Sequence, residues 1–460
     1  MSPATATARI ANASVLAAEG MTELRRLALR VASAGLAACD VGRATEAAVR
    51  PLEGGVEIDG HAYPLAGDAR VVVVGSGKAT LAIAAALEHL LGARLDGGAV
   101  AVREGEDTIA LERVEVLVAD HPLPSDRSIA AARRLAELAS GMGAGDLVLA
   151  SFTGGSSALT SLPPSGVTGE DKRRLHELLL ASGAPITQVN AVRKHVSGLK
   201  GGRLAALIAP ATLVNLTASD VAGDVLDAIT DPTVQDRSTV AEAVAILRER
   251  GLWSELSQSV RRHLSSPAAE SPRLERDPQT VLLVTGRSAC EAMVREAREA
   301  GASAQVVSTE LEGEAREMGR MLAELARTGG DGDGDGNARR VLVGCGGEAT
   351  VSLGRDGAFG DGGPNQEAAV AAALALPDDA LVCACFLDTD GSDGGTEAAG
   401  AIVDGLTRSR AAAAGVDLEG ALAGHRSGEA LKRLGDRVVT GPTQTNVNDL
   451  FAITVGVAQG

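Results

Sequence analysis

The order of apolar runs predicts an α/β protein made of two Rossmann-like, three-layer domains. Three observations carry this. Short β-branched runs such as 71–74, 147–151 and 281–284 alternate with long helical patterns, as strands and helices of parallel sheets do. The alternation occurs twice, on either side of a stretch bearing Pro267, Pro272 and Pro278, and 460 residues suit two or three compact units. Only six residues are aromatic (Phe 4, Trp 1, Tyr 1) against 56 glycines, so the core is packed from Ala, Val, Leu and Ile, which favours close helix-on-sheet contact.

Residues 1–20 read as a mobile tail. The pattern over 21–38 spaces Leu24, Leu27, Leu29 and Val31 as an amphipathic helix would. A strand at 71–74, a glycine turn and a helix over 79–91 follow. Further strands are expected at 99–102 and 114–118, and Ser125 is a fitting N-cap for a helix ending at Gly141. The strand 147–151 runs into Thr153-Gly154-Gly155-Ser156-Ser157, and a helix over 171–181, N-capped near Thr168, precedes the polar run 186–203. The second block opens with a strand at 281–284, a helix over 289–300 and a strand at 304–307. Another helix leads to 331–337, which resembles half an EF-hand loop but has Leu342 where the twelfth position needs a bidentate Glu. A solvated linker is expected there. The strand 341–343, a turn over 344–348, a helix near 366–376 and a strand at 381–386 complete the alternation. The expected division is a tail at 1–20, a first domain over 21–277 and a second over 278–460.

Lys plus Arg is 43 and Asp plus Glu is 60, a net charge of −17, so there is no global basic footprint for nucleic acid or anionic lipid. Any anionic ligand must be captured locally. The longest low-polarity stretch, 204–218, contains Asn215 and falls short of the roughly 20 residues of a spanning helix. Nor do the first residues contain a continuous apolar run typical of a secretory signal. Five scattered cysteines do not resemble a disulfide framework, and a reducing cytoplasm is expected. Cys383 and Cys385 share a strand face with no His or Cys pair nearby, which suits a buried apolar role. Only Lys78, Lys172, Lys194, Lys200 and Lys432 are lysines, so where one persists among arginines a compact ammonium is the reason to look for.

In open parallel sheets, ligands bind outside the carboxyl ends of the strands. The turn Gly75-Ser76-Gly77-Lys78 offers close backbone approach, a helix N-terminus and a point charge, which together make an anion site. It is neither a Walker A loop nor a complete dinucleotide fingerprint, because Thr80 stands at the third glycine position. The Gly154, Gly155 and Ser156 turn is a second candidate nest. The tract from Asn190 through Arg193, Lys194 and Lys200 to Arg203 concentrates cations in an acidic protein and suits a polyanion. Asp220 lies on one glycine-rich turn, and Asp390 and Asp393 lie on another. Carboxylates so placed suit Mg²⁺, which keeps several waters and takes substrate phosphates.

Ten words in order, among them Gly75-Ser-Gly-Lys78, Asp120-His-Pro-Leu-Pro124, Asn190-Ala-Val-Arg-Lys-His195, Leu199-Lys-Gly-Gly-Arg203, Gly346-Gly-Glu348, Asn365-Gln-Glu367, Asp390-Gly-Ser-Asp-Gly394 and Thr445-Asn-Val-Asn-Asp449, resemble the glycerate 2-kinase family with its C-terminal MOFRL domain. The resemblance runs from about 21 to 456. It implies ATP- and Mg²⁺-dependent phosphorylation of D-glycerate, or a related small hydroxy acid, at the 2-hydroxyl, in a cleft between two α/β domains. Lys78 matches the family's proposed catalytic lysine. Asp220 and Asp390 are expected to hold Mg²⁺, with Asp393, or to activate the hydroxyl. Glu348, Asn365 and Asn446 are expected to line the binding site with the glycine turns and the basic tract. A homodimer is the oligomer expected by analogy with many α/β enzymes.

Three positions depart from the family pattern: Pro364 replaces an arginine, and Asp231 and Gln444 replace glycines. Proline cannot replace a guanidinium. The departures motivate a second reading as a weakly active or non-catalytic ligand-binding relative. A third reading, an NAD(P)-dependent hydroxypyruvate reductase, needs an acidic residue about 20 after the glycines, whereas Glu104 comes 29 after Gly75.

Overall fold

The computed structural model describes residues 9–106, 109–328, 339–347, 349–353 and 360–457. The linker tract 331–337 lies outside them. Strands β1 (Val49–Leu52), β2 (Gly55–Ile58) and β3 (His61–Pro64) form an antiparallel meander that the sequence reading did not anticipate. Its second turn is Asp59-Gly60 with φ of +47° and +77°, the mirror-image turn whose twist matches a two-residue hairpin.

The first large sheet contains β4 (Val71–Ser76), β5 (Gly97–Arg103), β6 (Val114–Ala119), β7 (Leu147–Phe152), β8 (Thr212–Ala218) and β9 (Gln279–Val284). Their spatial order is β6-β5-β4-β7-β8-β9 and every pairing is parallel. This is the 3-2-1-4-5-6 order of doubly wound nucleotide-binding sheets, which reverses between β4 and β7. Alternate residues of β4 and β7 enter two separate cores. Val71, Val73, Leu147 and Leu149 meet helix Thr80–Leu91, while Val72, Val74, Val148 and Ala150 meet helices Asp126–Ser140 and Arg203–Ile208. Strands covered on both faces need no polar alternation, which is why they read as continuous apolar runs.

The second large sheet contains β10 (Ser303–Leu311), β11 (Arg340–Gly346), β12 (Val382–Asp388), β13 (Gly400–Asp404), β14 (Arg437–Val438) and β15 (Asp449–Val455), in the order β10-β11-β15-β12-β13-β14. Here the expected parallel sheet is corrected. Only β10 and β11 pair in parallel, because β15 returns from the C-terminus and runs antiparallel between β11 and β12. Cys383 and Cys385 share one apolar face, as expected, while Ala384 and Phe386 pack on the other.

Two boundaries differ from the sequence expectation. The strand at 279–284, assigned there to the second block, is the last strand of the first sheet. Helix Thr22–Ala38, assigned to the first block, packs on helix Gly286–Glu299 and on β12 and β15. Within the expected tail, Ile10 and Leu16 are buried, and Asn12 hydrogen-bonds across to residues 437 and 439. The helix is fixed by a buried charge network. Arg25 donates to Asp404 at 2.5 Å and to Asp436 at 2.7 Å, all three side chains being fully buried, and Arg410 gives Asp436 a second cation at 2.9 Å.

Candidate active site

The switch point between β4 and β7 brings the two glycine turns side by side. Gly77 has φ +123°, and a Cβ there would collide with Thr153, so only glycine lets the turns dock this closely. Docking closes the first turn. The Gly77, Lys78 and Ala79 N–H groups donate to Ala101 O, Gly154 O and Thr153 Oγ1 at 3.1, 2.9 and 3.2 Å. Ser76 is fully buried. The backbone nest expected at Gly75, Ser76 and Gly77 is therefore satisfied internally, and this turn offers the ammonium of Lys78. The second turn is open. Gly154 and Gly155 are half-buried, and among the described residues no acceptor takes either N–H. Ser156 N–H is taken by Thr153 O at 3.1 Å.

Lys78 reaches across to the other sheet. Its Nζ is 2.6 Å from Asp390 Oδ2, with the two side chains 26% and 14% exposed. Asp390 follows β12 in a tight turn, where Asp388 Oδ1 accepts its N–H at 2.9 Å and its own Oδ1 accepts the Ser392 N–H at 2.8 Å. Burial, together with Asp390 and Asp449, holds the Asp388 carboxyl well above the usual range. A cavity of about 370 Å³ opens beside the pair, with Leu81, Val102 and Pro442 as apolar walls and Arg103, Glu104 and Gln444 at its edge. Glu104 follows directly on β5, the second strand of the Rossmann order.

On the other side of Gly154 stands Asp220, so close that any side chain at Gly154 would collide with it. Asn446 Nδ2 donates to Asp220 Oδ2 at 3.0 Å, and Asn446 Oδ1 accepts the Asn448 N–H at 3.1 Å, which fixes the loop before β15 against the end of β8. Gly154, Lys78, Asp390, Asp220 and Asn446 are thus joined from both sheets. Arg193 and Lys200 line an adjoining pocket, and Asn190 stands one helical turn before Arg193.

Other expected site residues have structural work. Lys194 is paired with Asp227 and Asp236 at 3.0 and 3.2 Å. Asp393, expected at a metal, accepts from the backbone and side-chain nitrogens of Asn365 and Gln366 and caps helix Pro364–Ala375. Asn365 also donates to Asp449 at 2.5 Å. Glu348 lies outside the described residues. Pro364 occupies the first turn of its helix, where its missing N–H has no partner to lose. Gln444 has φ +58°, the left-handed region a glycine adopts freely.

The reading from sequence missed His121, whose ring lies over Gly155 beside the Lys78 side chain. Burial, followed by Lys78 and Arg103, pushes its pKa down to about 4. It also missed Lys172 and His176, for which the scarcity of lysine was a usable signal. Among the described residues, no group of three His, Cys, Asp or Glu is placed to hold a metal ion, and no helix is long and apolar enough to cross a membrane.

Residues 27–265 match the model described as a domain of unknown function (DUF4147), and residues 341–449 match the MOFRL family. Glycerate 2-kinase of Pyrococcus horikoshii is 37% identical over 445 residues, spanning 95% of this chain and 99% of that protein. An Agrobacterium vitis protein that carries the provisional name hydroxypyruvate reductase is 43% identical over 84% of this chain and 87% of its own. The crystal structure of glycerate kinase from Thermotoga maritima superposes with a TM-score of 0.81 at 34% identity, covering 94% of this chain and 99% of that one. With two α/β units, a matching fold and near-complete coverage, the chain belongs to the glycerate 2-kinase family.

Proposed function

We propose that the cleft transfers the γ-phosphoryl group of ATP to the 2-hydroxyl of D-glycerate or a closely related hydroxy acid. The observation that carries this is the Lys78–Asp390 pair, which joins the two sheets at the Rossmann switch point beside the open N–H groups of Gly154 and Gly155. Phosphoryl transfer asks the protein to position two substrates and to neutralise charge on the transferring oxygens, with little covalent chemistry of its own. Lys78 supplies the mobile cation and the Gly154-Gly155 turn supplies fixed donors. Asp390, next to the ammonium, accepts the proton of the attacking hydroxyl, and Asn446 orients Asp220 toward the same turn. The 370 Å³ cavity falls within the usual range for ligand pockets and suits the nucleoside.

Of the carboxylates expected at Mg²⁺, Asp220 and Asp390 keep a place in the cleft and Asp393 does not. Two carboxylates plus substrate phosphates are the donor set this hard cation takes, and bound with ATP it would neutralise phosphate charge. The five free, buried cysteines support a reducing cytoplasm as the working compartment.

The name of the Agrobacterium relative and the strand order favour a dinucleotide reductase as the second reading. Against it, the third glycine position is Thr80, whose hydroxyl is tied to Ser151 O at 3.0 Å, and the first turn has no free N–H for a pyrophosphate. Purified protein with Mg²⁺, assayed in parallel for ADP release with D-glycerate and for NAD(P)H loss with hydroxypyruvate, separates the two. ADP release alone is expected; NAD(P)H loss alone would overturn the kinase reading.

A further inference from the structure

Next to the Gly154-Gly155 turn is a pocket whose charges do not balance. Helix Gly169–Ala181 brings Lys172 and His176 to it, helix Ile186–His195 brings Arg193, and the following turn brings Lys200. Asp231 is the carboxylate that meets them, and it gives both oxygens to Lys200 Nζ at 2.8 and 3.0 Å, while Ser157 Oγ accepts from the same ammonium at 2.7 Å. Lys172 donates to a neutral acceptor, Leu162 O, at 2.9 Å. The half-buried guanidinium of Arg193 has neither a hydrogen-bond nor an ion-pair partner among the described residues. Three cations thus face one carboxylate. Lys194, on the same helix as Arg193, shows the opposite arrangement, with two carboxylates for one ammonium. An unmatched charge withdrawn from water is costly, and the simplest counter-charge is an anion that arrives with a ligand.

Size and position say which anion. The pocket's free space is about 10 Å³, room for one water-sized group, so it excludes a nucleoside and has room for a single oxygen of a small anion. It adjoins the transfer point: Ser157 lies on the helix that begins at the Gly154-Gly155 turn, and His121 feels the charges of Lys78, Asp390 and Arg193 together. We propose that Arg193 and Lys172, completed by Lys200 and Ser157, bind the carboxylate of the hydroxy-acid acceptor. The assignment rests on the kinase reading above for the identity of the acid; the anion pocket itself does not.

The test uses Arg193→Gln and Lys172→Met in the full chain, with Arg193→Lys as the conservative variant. The expected result is a rise of about tenfold or more in KM for D-glycerate with KM for ATP within about twofold, and partial recovery in Arg193→Lys, since uniform binding of the acid is what is removed. A second readout needs no turnover. Sodium sulfate, matched in ionic strength to sodium chloride, raises the melting temperature of the native protein by more than it raises that of either charge-removing variant, the shared part being the general stabilisation that sulfate gives a folded chain. Without added anion, Arg193→Gln melts at or above the native temperature, because it removes a guanidinium that has no hydrogen-bond or ion-pair partner among the described residues. If no hydroxy acid is turned over while the sulfate effect depends on Arg193 and Lys172, the anion pocket stands and the kinase reading fails. A rise confined to KM for ATP, a sulfate effect undiminished in both variants, no sulfate effect in the native protein, or lower anion-free melting in Arg193→Gln would each overturn the proposal.

Discussion

Replacing Lys78 by methionine keeps the length and apolar stem of the side chain and removes the charge. In the structure the ammonium lies 2.6 Å from Asp390 Oδ2, largely shielded from water. At an effective dielectric of about 20, two unit charges about 4 Å apart interact by about 4 kcal/mol. The same ammonium, facing phosphoryl oxygens instead, acts on charge that grows as the transferring group leaves the nucleotide. Loss of one such preorganised donor costs about 2.7–4 kcal/mol in the transition state, or about 10²–10³ in kcat. Steady-state ADP release at saturating ATP and D-glycerate measures this directly, and circular dichroism melting confirms that the variant is folded. The expected outcome is a fall of kcat by about 10²–10³ with a smaller change in either KM. A folded Lys78→Met protein that keeps more than about a third of native kcat would mean that Lys78 supplies only uniform ground-state attraction and does not stabilise the transferring group.

The remaining predictions concern the frame around the cleft. Arg25→Met leaves Asp404 without its arginine and Asp436 with Arg410 alone, so urea unfolding is expected to show a loss of about 3–5 kcal/mol. Asp393→Ala removes the acceptor of both backbone N–H groups of Asn365 and Gln366 at the start of helix Pro364–Ala375, leaving their side chains with Asp449 and Thr396 alone, and a loss of about 2–4 kcal/mol is expected by the same measurement. His121 and His176 both have pKa values lowered to about 4 by burial and by nearby cations. The unfolded chain therefore binds protons near pH 6.5 that the folded one refuses, so their contribution is present above pH 6.5 and is lost as pH falls toward 4. Urea midpoints taken from pH 7 to pH 4 should fall with a slope that His176→Gln reduces by about one proton.

Much of the first sheet was readable because strands buried on both faces leave continuous runs such as 71–74 and 147–151. The N-caps Ser125 and Thr168 marked their helices through side chains that bond the first turn. Other elements were hidden for identifiable reasons. The meander interleaves Arg50, Glu57 and His61 with its apolar residues. Helix Arg203–Ile208 and β8 merged into one low-polarity stretch, although Pro210 separates them. Nothing before β15 announces it, since a polar loop takes the place of a crossover helix. In the site, Lys78 stood out as a rare lysine on a glycine turn, but its partner is 312 residues away and only the packing of two sheets brings Asp390 to it. The closure of the first turn was equally invisible, because its N–H groups are satisfied mainly by the neighbouring turn after β7. Asp390 and Asp393 look alike in sequence; the path of helix Pro364–Ala375 is what gives the second a capping role.

The reaction proposed for the cleft is phosphorylation of the 2-hydroxyl of D-glycerate. The most direct measurement is ³¹P NMR of the products formed from ATP, Mg²⁺ and D-glycerate by purified protein, with Lys78→Met alongside. ADP and 2-phosphoglycerate are expected in equal amounts, with the variant forming both about 10²–10³ times more slowly. A 3-phosphate product would contradict the placement of the hydroxyl, and product formed equally well without Lys78 would contradict the site itself.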